Sequence, residues 1–240
     1  MPTTELFKIK DIVWDHFGRV GFPSTMLDRA LEGGRREVEQ AGNFWWMRTT
    51  KEWSLTVGTN EYPLLVSTGV GLNLPNYKDL RALKWKESGD VDWEPIDVGH
   101  MALDEAEEAY STDEEGSPEI GVIDNVTLIL FPPEPDLAYN MKMWLYQYTA
   151  FPSTGDTGSD ELTNKFPDAL VYASLAWGYE QQLKDPQGAN YWRELLFKKE
   201  IPKIKRENLK REFQERINFT PSSGPHLGRR RLDNVQIYKR

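Results

Sequence analysis

Two stretches of this 240-residue sequence place reactive side chains close enough together to suggest chemistry. The first is Asp156-Thr157-Gly158-Ser159, the tetrapeptide core of aspartic proteases, a mechanism that needs two carboxylates sharing one proton. Such a motif ordinarily follows an apolar strand; here Ser153-Thr154-Gly155 precede it, and no second Asp-Thr-Gly or Asp-Ser-Gly exists to complete the pair. The second is the carboxylate run Asp104, Glu105, Glu107 and Glu108, continued by Asp113, Glu114 and Glu115. It holds enough oxygens for a calcium or two-metal site, and so for a metal-dependent hydrolase. Its spacing does not fit an EF-hand loop, and a solvated helix face accounts for it better. His16, His100 and His226 lie too far apart to form a local ligand pair, and cysteine is absent, which removes thiolate sites, disulfides and a cysteine nucleophile. Gly69-Val70-Gly71 lacks the third glycine of a dinucleotide loop, and no G-x-S-x-G elbow supports a serine hydrolase. The expectation is a protein without catalytic residues, metal or cofactor, that is, not an enzyme.

The elements around these stretches follow from periodicity. Leu6, Ile9, Val13 and Phe17 recur at helical spacing over 5–17, with Gly18 at the expected stop. Ser24 suits the N-cap of a second helix carrying Leu27, Ala30, Leu31, Val38 and Ala41 up to Gly42. Its other face, Asp28, Arg29, Glu32, Arg35, Arg36 and Glu39, reads as a salt-bridged solvent surface. After Asn43-Phe44-Trp45-Trp46 the period becomes alternating. Strands are expected around Trp53 to Val57, Tyr62 to Val66, Leu83-Trp85, Trp93 to Ile96, Ile120 to Ile123, Val126 to Phe131 and Asn140 to Tyr148, with a short acidic helix at 101–110. Residues 152–160 are a linker by composition. Pro167 opens a helix with an apolar face through Leu170, Ala173, Trp177 and Leu183. A last helix, from about Ala189 to Arg216, should be kinked or divided at Pro202. The resulting fold class is α+β: a helical bundle built from the N- and C-terminal helices (1–45 and 160–216), an inserted β-rich module (46–150), and an extended C-terminal arm (217–240).

Charge is unevenly spread along this plan. The net charge is -9, yet from Lys198 onward there are 13 basic and 5 acidic residues, leaving -17 on residues 1–197. An acidic body argues against general nucleic-acid coating. Arg229, Arg230, Arg231, Lys239 and Arg240, interleaved with Leu227, Leu232, Val235, Ile237 and Tyr238, suit an arm that docks on an acidic protein partner more than one that contacts phosphates. Nine Trp, ten Tyr and ten Phe fit either a well-filled core or permanent interfaces. No run approaches the roughly 20 apolar residues of a membrane span, and neither end carries a signal-peptide pattern. A soluble protein made in a reducing compartment is expected.

Three segments, in this order, carry a resemblance. The first is the helix leading into Asn43-Phe44-Trp45-Trp46-Met47-Arg48-Thr49, followed by Glu61-Tyr62-Pro63-Leu64. The second is Gly116-Ser117-Pro118-Glu119 before an Ile-Asp-Asn turn and Leu128-Ile129-Leu130-Phe131-Pro132-Pro133. The third is Thr154 to Leu162 leading to Phe166-Pro167-Asp168-Ala169-Leu170-Val171-Tyr172. Over roughly residues 20–215 the sequence resembles the head-to-tail adaptor, or connector, proteins of tailed phages, the group that includes tail tubular protein A of short-tailed phages. The resemblance implies a virion neck protein. It would form a homo-oligomeric ring of twelve copies that joins the portal protein to a downstream tail protein, with DNA passing through unbound. It offers no catalytic residues to carry over. An acidic lumen would repel phosphate, and a basic arm would grip the neighbour, in keeping with that role. The alternatives are a tail-completion or terminator ring, normally of six copies, and the hydrolase using the acidic 104–115 segment.

Overall fold

The helical stripes that periodicity picks out are buried at most of their positions, whereas the strands expected to run to Val57 and Val66 end at Ser54 and Pro63 and leave both valines exposed. The computed structural model describes residues 5–18, 26–99, 101–110, 114–150 and 160–218. In α1 (Glu5–Gly18) the side chains of Leu6, Ile9, Val13 and Phe17 are fully buried. In α2 (Leu27–Gln40) Ala30, Leu31 and Val38 are buried too. This helix begins at Leu27 with Met26 in the N-cap position and no side-chain cap; Ser24 lies outside the described residues. Two glycines let α2 come close to α5 (Pro167–Gln181): a Cβ on Gly34 would lie 2.4 Å from the backbone nitrogen of Ser174, and one on Gly33 2.3 Å from the Trp177 indole. No larger residue fits there without pushing the helices apart.

One expectation for α2 is overturned. Arg35 and Glu39 do not face solvent: they are 2% and 0% exposed. The helix is covered on more than its apolar stripe, because the end of the sheet and the start of α4 (Glu161–Lys165) close over its second side. Two opposite charges one turn apart tolerate that burial only because they satisfy each other and their neighbours.

The alternating segments form one seven-stranded curled sheet in the order β1-β7-β3-β4-β5-β6-β2. The strands are β1 (Arg48–Ser54), β2 (Glu61–Pro63), β3 (Tyr77–Lys86), β4 (Glu94–Val98), β5 (Ile120–Asp124), β6 (Thr127–Phe131) and β7 (Asn140–Gln147). Neighbours are antiparallel except β4 and β5. Along β7, Met141, Met143 and Leu145 point inward onto Leu83 and Ile96 from β3 and β4, and onto Leu128, Leu130 and Tyr62 from the far strands, so the sheet curls over its own core. The helix α3 (Leu103–Ala109) packs Ala106 on Val122 and Phe131.

The described C-terminal part is helical. Asp185 caps α6 (Pro186–Leu195) by accepting from Gln187 N at 3.1 Å and Gly188 N at 3.0 Å. The division expected at Pro202 takes the form of a π-helical turn, Leu196–Glu200, between α6 and α7 (Ile201–Asn218). Ile201 N–H reaches back to Leu196 O, a five-residue step that widens the helix just before the proline, whose ring would clash with a regular turn. The result is a mixed α+β fold: α1, α2, α5 and the first turns of α7 share one core with Met47 and Tyr146 from the ends of the sheet.

Candidate interaction surfaces

The buried charges of α2 form a clamp. Glu39 accepts from Arg35 Nε at 3.3 Å, from Thr149 N at 3.1 Å and Thr149 Oγ1, and from Trp46 Nε1 at 3.4 Å. Arg35 also donates to Thr149 Oγ1 at 2.7 Å and, through Nη1, to Asp160. Asp160 in turn caps α4 by accepting from Thr163 N at 2.9 Å. One arginine thus ties together α2, the exit of β7 and the entry to α4. Lys78 extends the tie from β3 by donating to the carbonyls of Glu39 and Gly42; burial holds its amine below its ordinary pKa, with Glu39 and Asp79 opposing the shift. Arg36 stacks over Tyr148 at 4.4 Å and donates to Asn76 at 3.3 Å.

The aromatic run between α2 and β1 fills the same junction. Phe44 stacks on Trp46 at 4.7 Å, Trp45 meets Trp46 edge-on at 4.6 Å, and Phe166 closes the group. The Asn208 side chain of α7 accepts from Trp45 N at 3.0 Å and donates to Asn43 O at 3.3 Å, while Arg48 pairs with Glu212 at 3.1 Å. Most of the aromatic content is therefore core and junction.

Three charged outer faces of the described residues lie away from this junction. On the sheet, Lys86, Trp93, Lys142, Trp144 and Lys84 alternate as a ladder, with each ammonium 5.0–5.9 Å from a ring centroid. Glu52 partly neutralises it by pairing with Lys142 at 2.6 Å. On α7 the outer face carries Lys203, Lys205, Arg206 and Lys210 together with Leu209 and Phe213, each of the last two 65% exposed. On α3 the carboxylates of Asp104, Glu105, Glu107 and Glu108 all face outward.

Asp104, Glu105, Glu107 and Glu108 form the solvated helix face that their spacing suggests, with Glu105 accepting from Ala102 N at 3.2 Å, while Glu114 and Glu115 lie beyond the helix. Among the described residues no three Asp, Glu or His converge as metal ligands; Asp113 lies outside them. The Asp156-Thr157-Gly158-Ser159 tetrapeptide also lies outside the described residues, as do Leu227, Arg229, Arg230, Arg231, Leu232, Val235, Ile237, Tyr238, Lys239 and Arg240. Thr149, Asp160 and Asn208 escaped the sequence reading, which set Arg35 and Glu39 on a solvent surface; their i, i+4 spacing is that of an exposed pair and gives no sign of burial.

An α+β frame with charged, partly apolar outer faces fits a protein that makes contacts with other macromolecules. The sequence matches the SU10 adaptor protein family over residues 9–219, most of its length, and the chain belongs to that family. It is a phage adaptor, a structural protein of the virus particle. Comparison with curated proteins finds no match. No described helix is long and apolar enough to cross a membrane.

Proposed function

We propose that this protein is the ring subunit of a phage neck, twelve copies of which join the portal to the tail around the DNA channel. Family membership over residues 9–219 is the observation that carries this reading. The helices of 1–45 and 160–216 form the ring wall, the β-rich part of 46–150 projects from it, and residues 217–240 are the arm that reaches the portal. Charge supports the assignment: each body of residues 1–197 brings -17, so a closed ring presents an acidic field that DNA crosses without being held. The portal-docking residues are Leu227, Arg229, Arg230, Arg231, Leu232, Val235, Ile237, Tyr238, Lys239 and Arg240, which combine cations with side chains for groove or strand burial. On the opposite side the ring receives the next tail protein, as in the tail tubular protein A group.

Electron microscopy and native mass spectrometry of the full chain mixed with its portal test the reading. Twelve copies stacked on the portal are expected, with binding lost when residues 217–240 are deleted. A six-copy ring that ignores the portal and binds the tail tube would establish the tail-completion alternative instead.

A further inference from the structure

The two long sides of α7 differ in charge. Its described acidic residues, Glu207 and Glu212, are half-buried and held inward, by Arg211 at 3.7 Å and Arg48 at 3.1 Å. Among the described side chains the outer side has four cations and no carboxylate, with Leu209 and Phe213 one turn apart. Lys203 and Lys210 have partners within the chain, Glu200 at 2.6 Å and Glu207 at 3.9 Å, whereas Lys205 and Arg206 make no ion pair among the described residues. Exposed large apolar groups side by side on a charged helix mark a contact surface.

The opposite composition occurs once among the described helices. From Met101 to Tyr110 there are four exposed carboxylates and no cation, and none of the four is ion-paired among the described residues. Half-buried Met101, Leu103 and Tyr110 flank them and provide an apolar margin. The reach of the two surfaces is comparable: Lys203 to Phe213 spans about 15 Å and α3 about 10 Å at 1.5 Å per residue.

We infer that the outer face of α7 in one copy docks on the α3 surface of the next copy, with Leu209 and Phe213 against the apolar margin and Lys205 and Arg206 over the carboxylates. The inference rests on the ring reading and names its contact. Charge complementarity selects the second copy: Lys205 and Arg206, which have no ion pair among the described residues, meet a surface of four carboxylates between chains that each carry -9 overall and would otherwise repel. DNA would occupy the cations but leave Leu209 and Phe213 bare. The pairing joins two different surfaces, so it is heterologous, the type that propagates around a ring.

The absence of cysteine gives a clean test. The full-length double variant Glu108→Cys/Leu209→Cys, mildly oxidised, should give a ladder of disulfide-linked multimers. Each single variant should give at least tenfold less dimer, because like surfaces do not meet. Val91→Cys/Leu209→Cys, with its first thiol at an 87% exposed loop position, sets the background. Adding Lys205→Glu/Arg206→Glu should abolish the ladder, and adding Asp104→Lys/Glu107→Lys to that variant should restore it. Rings in native mass spectrometry with a ladder no stronger than background would overturn the contact and leave the ring reading intact. Neither rings nor ladder would overturn both. Duplex DNA binding that disappears with Lys205→Glu/Arg206→Glu while the ladder persists unchanged would overturn the assignment of this face to a second copy.

Discussion

Replacing Arg35 by Met tests whether the clamp is structural in the way its geometry implies. The substitution keeps most of the buried volume but leaves the Glu39 carboxylate, fully buried, with the N–H and hydroxyl of Thr149 and the Trp46 indole as its donors and no cation bonded to it, the Lys78 ammonium being held on the Glu39 backbone carbonyl. Removing one partner of a buried ion pair costs about 3–5 kcal/mol. For a chain of this size each kcal/mol lowers Tm by about 2–4 °C, so a fall of roughly 6–20 °C is expected. Asp160 suffers less, because its side chain is 26% exposed and can be hydrated. Glu39→Gln should cost about 1–3 kcal/mol, since it leaves Arg35 with Asp160 and loses only the charged part of its hydrogen bonding. The double variant Arg35→Met/Glu39→Gln should cost less than the two single losses together, because no unpaired carboxylate remains buried at position 39. Urea unfolding followed by circular dichroism gives all the terms of the cycle. An Arg35→Met loss below about 1 kcal/mol, or additive single effects, would refute the argument that these charges are mutually dependent.

Two further outcomes follow from local geometry. Gly34→Ala would ordinarily gain up to about 1 kcal/mol of helix propensity; with Ser174 N 2.4 Å from the new Cβ it should instead lose about 1–3 kcal/mol by overpacking, measurable as a lower urea midpoint at unchanged slope. Glu180 is held below its ordinary 4.5 by the hydrogen bond from Arg193, which also pairs with Glu37 at 2.5 Å. A depressed carboxylate pKa stabilises the fold above 4.5 and ceases to do so as pH falls through the folded-state value; Arg193→Gln should return the Glu180 midpoint toward 4.5 in a carbon-detected NMR titration, and an unmoved midpoint would contradict the assignment.

The parts of the fold that one residue's neighbours in sequence decide were legible. The stripe Leu6, Ile9, Val13 and Phe17, the strand Asn140 to Tyr148 and the helix opened by Pro167 all appear in the structure at or near their expected places. What the sequence hides is which polar residues are buried. Arg35 and Glu39 have the same spacing as a solvent-facing pair, and only the arrival of Thr149 and Asp160, more than a hundred residues away, turns them inward. The π-helical turn was half legible. Pro202 announces a disturbance, but its form depends on Leu196 and Ile201 being held in the core while the backbone between them widens.

The clamp also bears on assembly. If neighbouring copies meet through α7 and α3, the angle between those two helices sets the rotation from one copy to the next, about 30° for a closed ring of twelve. Within one chain that angle passes through the junction of helices and sheet. Asn208 and Glu212 fix α7 to Asn43, Trp45 and Arg48, and Arg35, Glu39 and Lys78 fix α2 to β7 and β3. Loosening the junction without unfolding it should therefore widen the spread of ring sizes. Arg35→Lys is suited to this, since one ammonium cannot replace a guanidinium that serves Thr149 and Glu39 through Nε and Asp160 through Nη1. Native mass spectrometry should show closed species on both sides of the main one for Arg35→Lys and a single species for the parent chain. A single unchanged ring from a measurably destabilised Arg35→Lys protein would mean that curvature is set at the contact itself and not by the frame behind it.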